Sequence, residues 1–145
     1  MNVSVLVVED FKPFRQVICK ILGSEPHIDR IFEVGDGIQA VKTAAELQPH
    51  LILLDIQLPL LDGIEASRRI RDISPGSKIL FLSQEQSTEV VSEALSTGAC
   101  GYVVKADAGA ELTVAVNAVL RGEKFVSERV KNVSLLTTPQ AEGAS

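Results

Sequence analysis

Three acidic side chains stand where two apolar runs of the sequence end. Glu9 and Asp10 come directly after the run 5–8, and Asp55 directly follows the run 51–54. If these runs are neighbouring parallel strands, their carboxyl ends lie about 5 Å apart at one edge of a sheet. Three carboxylates that close raise one another's pKa unless a cation joins them. Because their hard oxygens have no His or thiolate beside them, the cluster predicts a Mg²⁺ site, with Mn²⁺ as the other candidate.

Two further polar side chains stand at strand ends. Lys105 follows the run 102–104 and supplies an ammonium, and Ser83 follows the run 79–82 and supplies a hydroxyl. A carboxylate nucleophile, a metal, a fixed positive charge and a hydroxyl are the parts that phosphoryl transfer needs. Each residue alone is more often a helix cap or a solvated loop residue. The shared placement of all five at strand ends favours the chemical interpretation.

The elements that position these residues follow from hydrophobic periodicity. Apolar runs predict five strands at 5–8, 28–34, 51–54, 79–82 and 102–104, and a segment of helical periodicity follows each one. The predicted helix starts are capped by Asp36, Asp62 and Asp107, and the predicted helix ends carry Gly23, Gly98 and Gly122. Strict alternation predicts an α/β fold, a doubly wound parallel sheet whose functional site lies at the carboxyl ends of its strands.

Composition narrows the class of protein. The chain has 145 residues and a net charge of −5, which disfavours direct nucleic-acid binding by this segment. The apolar stretch near the amino terminus is too short to span a membrane and lacks the flanks of a signal peptide. We therefore expect a cytoplasmic protein that does not associate with a membrane.

The motifs together resemble the receiver domain of two-component response regulators, over residues 3–120. The residues that carry this likeness are Leu6-Val7-Val8-Glu9-Asp10, Leu53-Leu54-Asp55-Ile56-Gln57-Leu58-Pro59 with Asp62-Gly63, Ser83, and Gly101-Tyr102-Val103-Val104-Lys105-Ala106. The resemblance implies a five-stranded parallel sheet in the order 2-1-3-4-5 with helices on both faces, as in flavodoxin-like folds. It also implies a phospho-acceptor signalling switch.

The same resemblance implies a role for each residue of the site. Asp55 would take a phosphoryl group from a sensor histidine kinase, and Lys105 would bind the phosphoryl oxygens. The implied Mg²⁺ ligands are Glu9, Asp10, Asp55 and the backbone carbonyl of Gln57. Ser83 and Tyr102 would be the switch residues, although Tyr102 is also compatible with simple packing and a solvated hydroxyl. The protein would not be an enzyme beyond catalysing its own aspartyl phosphorylation and dephosphorylation.

An acyl phosphate adds about two negative charges, which recruit the hydroxyl and the ammonium and shift the loops that carry them. The expected output surface is therefore formed by the fourth helix, the fifth strand and the fifth helix, with transcription regulation as the expected output. We also predict that Gln57 and Glu85 flank the path of an attacking water and tune the lifetime of the phosphorylated state.

Residues 101–109 and 122–127 resemble the receivers that precede a LuxR-type helix-turn-helix domain. We accordingly assign residues 1–122 to the receiver domain and residues 123–145 to a linker or C-terminal tail, with the effector domain absent. Leu136-Thr137-Thr138-Pro139 is faintly similar to the opening of such a domain, so a truncated protein and a stand-alone receiver both stay open. A homodimer is compatible with either the output surface or the first and fifth helices.

Two departures from the family pattern leave an alternative open. Gln84 stands where a small residue is typical and could obstruct the phosphoryl pocket, and Ala106 stands where many members have proline, which leaves the usual cis peptide after the lysine in doubt. The alternative is an interaction module that works without phosphorylation. An aspartyl phosphatase would need an acid at Gln57, and a flavin carrier a Ser/Thr/Gly-rich loop after the first strand, so neither fits.

Overall fold

Six parallel strands form the sheet of the computed structural model, which describes residues 2–132. The strands are β1 (Val3–Val8), β2 (Ile28–Val34), β3 (Leu51–Leu54), β4 (Lys78–Ser83), β5 (Gly101–Val104) and β6 (Phe125–Val126). The helices are α1 (Lys12–Gly23), α2 (Gly37–Leu47), α3 (Gly63–Ile73), α4 (Thr88–Ser96) and α5 (Ala108–Leu120), with 3₁₀ turns at Lys105–Asp107 and Glu128–Val130. The strand order is β2-β1-β3-β4-β5-β6, which confirms the predicted order of the first five.

The pairing of β1 with β3 explains why the acidic residues meet. β1 and β3 pair in parallel from Val5 opposite Leu51 to Val8 opposite Leu54, so the residues after them leave the sheet side by side. All eight of these paired residues are buried, because helices cover both faces of the sheet. Successive side chains enter opposite layers, with Leu6 and Ile52 in one apolar cluster and Val5 and Leu53 in the other. Two hydrophobic cores thus hold the strand ends in place.

Two of the three predicted aspartate caps are confirmed. Asp36 accepts a hydrogen bond of 2.7 Å from the N–H of Gln39, and Asp62 accepts from the N–H groups of Ile64 and Glu65. The third predicted cap, Asp107, was wrong, because its side chain does not cap the helix. Asp107 stands before α5, but its carboxylate makes no cap hydrogen bond, because both of its oxygens accept from Arg129.

Helix ends at glycine are confirmed for α4 and α5. Gly98 follows α4 with a φ of +95°, and Gly122 follows α5 with a φ of +89°. Both lie in the left-handed region, where a residue without Cβ is not strained. Gly23 is the last residue of α1 itself.

The sixth strand differs from the five that we predicted. Phe125 and Val126 pair with Gly101 and Tyr102 along the outer edge of β5. This approach depends on Gly101, because a Cβ at that position would lie 2.3 Å from the carbonyl oxygen of Phe125. A two-residue strand is too short to give a period-two signal in the sequence. The stretch 136–139 lies outside the described residues.

The packed part of the chain continues past residue 122. Val130 is 2% exposed and belongs to the same apolar cluster as Phe81 and Tyr102. The peptide bond between Lys105 and Ala106 is trans, as are the other peptide bonds of the described residues. Within residues 2–132, none of the helices combines the length and the apolar character needed to cross a bilayer.

Candidate functional site

The backbone around Asp55 is fixed by its neighbours in the sheet and in α3. Its N–H donates to the carbonyl of Val8 (3.1 Å), which continues the pairing of β1 and β3 beyond the last strand residue. At the start of α3, the N–H of Gly63 donates to the carbonyl of Ile56, the residue after Asp55 (2.8 Å). A Cβ on Gly63 would lie 1.8 Å from the carbonyl oxygen of Asp55. The start of α3 therefore packs directly against the backbone that carries the candidate nucleophile, and only glycine allows it.

The structure brings the three predicted acidic residues together. Glu9, Asp10 and Asp55 each offer a carboxylate oxygen, and these oxygens all lie within 4.8 Å of one another. Glu9 and Asp55 are 1% and 4% exposed, whereas Asp10 is exposed to solvent. The two buried acids thus form the floor of the site, and Asp10 stands at its rim.

The donor set fits a magnesium ion. Oε2 of Glu9 accepts a hydrogen bond from the N–H of Phe11 (2.9 Å), but the buried Oε1 has no hydrogen-bond partner. The ammonium of Lys105 lies 2.7 Å from this oxygen, so one positive charge faces three carboxylates, and a divalent cation would offset the remaining negative charge. Three carboxylate oxygens this close together are the hard ligands that Mg²⁺ prefers, so Glu9, Asp10 and Asp55 would hold the ion.

Lys105 lies against both buried acids, as predicted from its strand-end position. Its Nζ donates to Oδ2 of Asp55 at 2.8 Å and forms an ion pair of 2.7 Å with Oε1 of Glu9. Burial alone would lower the pKa of Lys105, but its contacts with the two carboxylates raise that pKa above its usual value. Burial raises the pKa of Glu9, which the ammonium and the Phe11 N–H only partly offset.

Ser83 and Tyr102 are both fully buried, and both contact Glu85. The N–H of Glu85 donates to Oγ of Ser83 (3.2 Å), and the hydroxyl of Tyr102 donates to the carbonyl of Glu85 (2.8 Å). Burial raises the pKa of Tyr102 to about 12. The simple alternative of a solvated tyrosine hydroxyl was therefore wrong, because the phenol is enclosed and hydrogen-bonded to the loop after β4.

A bridge of side chains connects the loops after β3 and β4 at the rim of the site. The amide of Gln57 donates to the carboxylate of Glu85, and the amide of Gln84 donates to Oε1 of Gln57 (3.2 Å). Gln84 is exposed and makes its contact with Gln57 rather than with Asp55. The bridge places the two residues that we predict to tune dephosphorylation in direct contact.

Several residues that complete the site gave no recognisable signal in the sequence. The ammonium of Lys105 lies 4.9 Å from the centre of the Phe14 ring, a cation–π contact from α1. Arg15 donates to the backbone carbonyl of Glu9 (2.8 Å) and pairs with Glu33. Ser127 and Arg129 contact the segment that carries Lys105. In the sequence, Phe14 fits the apolar face of the first predicted helix, so nothing marked it as a partner of Lys105. The other contacts join residues that are far apart in the chain, which a sequence pattern does not reveal.

Comparison with known proteins gives the family. A model of the response regulator receiver domain matches residues 5–117, which is more than half of the chain. The chain belongs to the response regulator receiver domain family. This receiver is 31% identical over 129 residues to the transcriptional regulatory protein DegU of Brevibacillus brevis, covering 89% of this chain and 55% of DegU. It is 33% identical over 127 residues to the transcriptional activator DevR/DosR of Mycobacterium tuberculosis, covering 88% of this chain and 58% of that protein.

Solved receiver structures have the same fold. A LuxR-family response regulator from Aurantimonas sp. SI85-9A1 superimposes with a TM-score of 0.85 at 28% identity, over 91% of this chain and 94% of that one. The response regulator domain of Thermotoga maritima CheB superimposes with a TM-score of 0.77 at 28% identity. The match covers 83% of this chain and 98% of the CheB domain. The resemblance to LuxR-type receivers is thus confirmed. The chain spans little more than half the length of the two regulators named above.

Proposed function

We propose that this receiver is a phospho-acceptor switch in which Asp55 takes a phosphoryl group from the phosphohistidine of a sensor histidine kinase. The observation that carries the proposal is the enclosure of the Asp55 carboxylate between two further carboxylates and the ammonium of Lys105. The residues named in the sequence as the metal ligands, the phosphoryl-binding lysine and the switch pair keep those roles in the proposal.

The hydrogen bonds of Asp55 indicate how the chain would carry out the transfer. Oδ1 accepts from the N–H of Ile56 (2.7 Å) and Oδ2 accepts from Lys105 (2.8 Å), so the carboxylate is held in one orientation. A carboxylate oxygen forms the new O–P bond as the bond from phosphorus to the donor breaks, and the donor leaves with the electron pair. Lys105 then transfers its hydrogen bond from Asp55 to a phosphoryl oxygen. Bound Mg²⁺ would neutralise the charge shared by the carboxylates and the phosphoryl oxygens.

The phosphoryl group would change the contacts of the switch residues. Its added charge and acceptor oxygens attract the hydroxyl of Ser83, which in this structure accepts from Glu85. Release of Glu85 would shift the loop before α4, and with it the carbonyl to which Tyr102 donates. The α4, β5 and α5 surface would relay that change to an output. Because the named relatives include transcriptional regulators, transcription is the proposed output.

Intact-mass measurement with a small phosphodonor tests this function. The full chain is incubated with acetyl phosphate and Mg²⁺, with a chelator-treated sample beside it. We expect one added phosphoryl group with Mg²⁺, little with chelator, and none in Asp55→Asn, which keeps the size of the side chain and removes the nucleophile. A wild-type chain that gains no mass with Mg²⁺ would refute the proposal.

The second candidate is an interaction module that does not depend on phosphorylation. The bridge formed by Gln84, Gln57 and Glu85 favours it, since three connected side chains at the rim narrow the approach of a large donor. The two candidates differ in Asp55→Asn. Partner binding or dimerisation that is insensitive to this substitution and to acetyl phosphate would support the second candidate, and a change in oligomeric state on phosphorylation would exclude it.

A further inference from the structure

The stretch from Phe125 to Val130, which we term the C-terminal strap, is fastened to the chain on both sides of Lys105. On one side, the buried Oγ of Ser127 accepts a hydrogen bond of 2.9 Å from the N–H of Val104. The same hydroxyl donates to the carboxylate of Glu111 on α5, so both of its hydrogen-bonding functions are used. The strap thus completes the end of β5, where the edge of the strand would otherwise leave a buried N–H without an acceptor.

On the other side of the lysine, Arg129 pairs with Asp107. Nε of Arg129 lies 2.9 Å from Oδ2, and Nη2 lies 2.9 Å from Oδ1, which is the bidentate geometry of a strong guanidinium–carboxylate pair. A single exposed ion pair contributes little to stability. This pair is bidentate and the carboxylate of Asp107 is only 23% exposed, so water screens it less than a fully exposed pair. Only Ala106 separates Asp107 from Lys105.

The strap is itself anchored in the core. Val130 is buried in the apolar cluster that also contains Tyr102, and the N–H of Ser127 donates to the carbonyl of Tyr102 (2.8 Å). The residues that contact the lysine-bearing segment are therefore themselves held in place by the core. A lysine side chain has high conformational entropy, so the position of its ammonium depends on how firmly its backbone is held.

We propose that the C-terminal strap is a positioning element for the phosphoryl-binding lysine. Ser127 and Arg129 hold the backbone before and after Lys105 so that its ammonium reaches Asp55. Neither residue touches the reacting atoms, and the inference rests on the proposed phosphorylation of Asp55. Because coupling is reciprocal, a phosphoryl group that draws Lys105 toward itself also acts on the strap.

The test compares phosphorylation rates of the full chain with acetyl phosphate across a Mg²⁺ titration. In Arg129→Gln we expect the maximal rate to fall about tenfold, because a misplaced catalytic group loses rate steeply with small displacements. The Mg²⁺ midpoint should stay unchanged, since the metal ligands are not altered. The exchanged pair, Asp107→Arg with Arg129→Asp, should restore much of the rate. Arg121→Gln, which breaks the nearby exposed pair with Glu123, is the matched control and should behave as wild type.

The outcomes separate this inference from the function on which it rests. A wild type that takes up no phosphoryl group would overturn the proposed function. A phosphorylated wild type beside an equally fast, folded Arg129→Gln would overturn the strap proposal alone, as would a lower rate accompanied by a weaker Mg²⁺ midpoint. If Arg129→Gln does not fold, Arg129→Lys keeps the charge and loses the bidentate geometry, and its rate should lie clearly below that of wild type. A folded Arg129→Lys with the wild-type rate would contradict the proposal.

Discussion

The site depends on a few residues whose ordinary chemistry is changed by burial. Glu9 and Asp55 are almost fully enclosed, and the Lys105 ammonium is the cation that contacts both of them. Lys105 therefore stabilises two charges that would repel each other, and its pKa rises as a result. The same ammonium would bind the phosphoryl group in the proposed function. One side chain thus pairs with both buried carboxylates and, in the proposed function, would also recognise the phosphoryl group.

Tyr102 gives a direct test of burial, because it is the only tyrosine of the chain. We expect tyrosinate absorbance to appear with a midpoint near pH 12 in the folded protein, and near 10 after unfolding in urea. The folded pKa is the higher one, so the stabilisation from burying the phenol is complete below about pH 10 and is lost as the pH rises through 12. A folded-state midpoint near 10 would show that the hydroxyl is in contact with water.

At the scale of elements, parallel strands bring distant residues to one edge of the sheet. The sequence was enough to predict that edge, because four of the five predicted strands were apolar runs with a candidate functional residue directly after them. The pairings of Asp107 with Arg129 and of Val104 with Ser127 could not be predicted. One joins two side chains and the other joins a backbone N–H to a side chain, across a turn and a short strand where neither periodicity nor a motif indicates a partner. The edge strand β6 was missed for the same reason.

The junction of β3 and α3 is the element contact most sensitive to substitution. In Gly63→Ala the new Cβ would meet the carbonyl of Asp55 at 1.8 Å, and backbone cannot move aside as a flexible side chain can. We expect a loss of about 3 kcal/mol or more in the free energy of unfolding, measured with urea. Gly109→Ala is the control, since a Cβ there meets nothing within 4 Å and should stabilise α5 by about 0.5–1 kcal/mol. Equal stabilities of the two variants would contradict this packing.

At the scale of the whole molecule, the acidic edge and the C-terminal end of the domain share β5. The strand carries Tyr102, ends beside Lys105 and pairs along its outer edge with β6. A change at Asp55 therefore has a short physical route to the α4, β5 and α5 surface and to the strap. The fold class and the acidic residues, lysine and serine of the site could be predicted from sequence, and the order of the first five strands from the family resemblance. This connection required the packing of residues beyond 122.

The central claim is that Glu9, Asp10 and Asp55 form one magnesium-dependent centre. Calorimetric titration of the full chain with MgCl₂ tests it most directly, with Asp10→Asn as the site variant, because Asp10 is exposed and its replacement should not disturb the fold. Asp29→Asn, which removes an exposed acid from β2, is the control of equal charge. The account predicts one Mg²⁺ per chain in wild type and in Asp29→Asn, with affinity at least tenfold weaker in Asp10→Asn, a loss of about 1.4 kcal/mol. No heat of binding in wild type, or equal affinity in all three proteins, would contradict it.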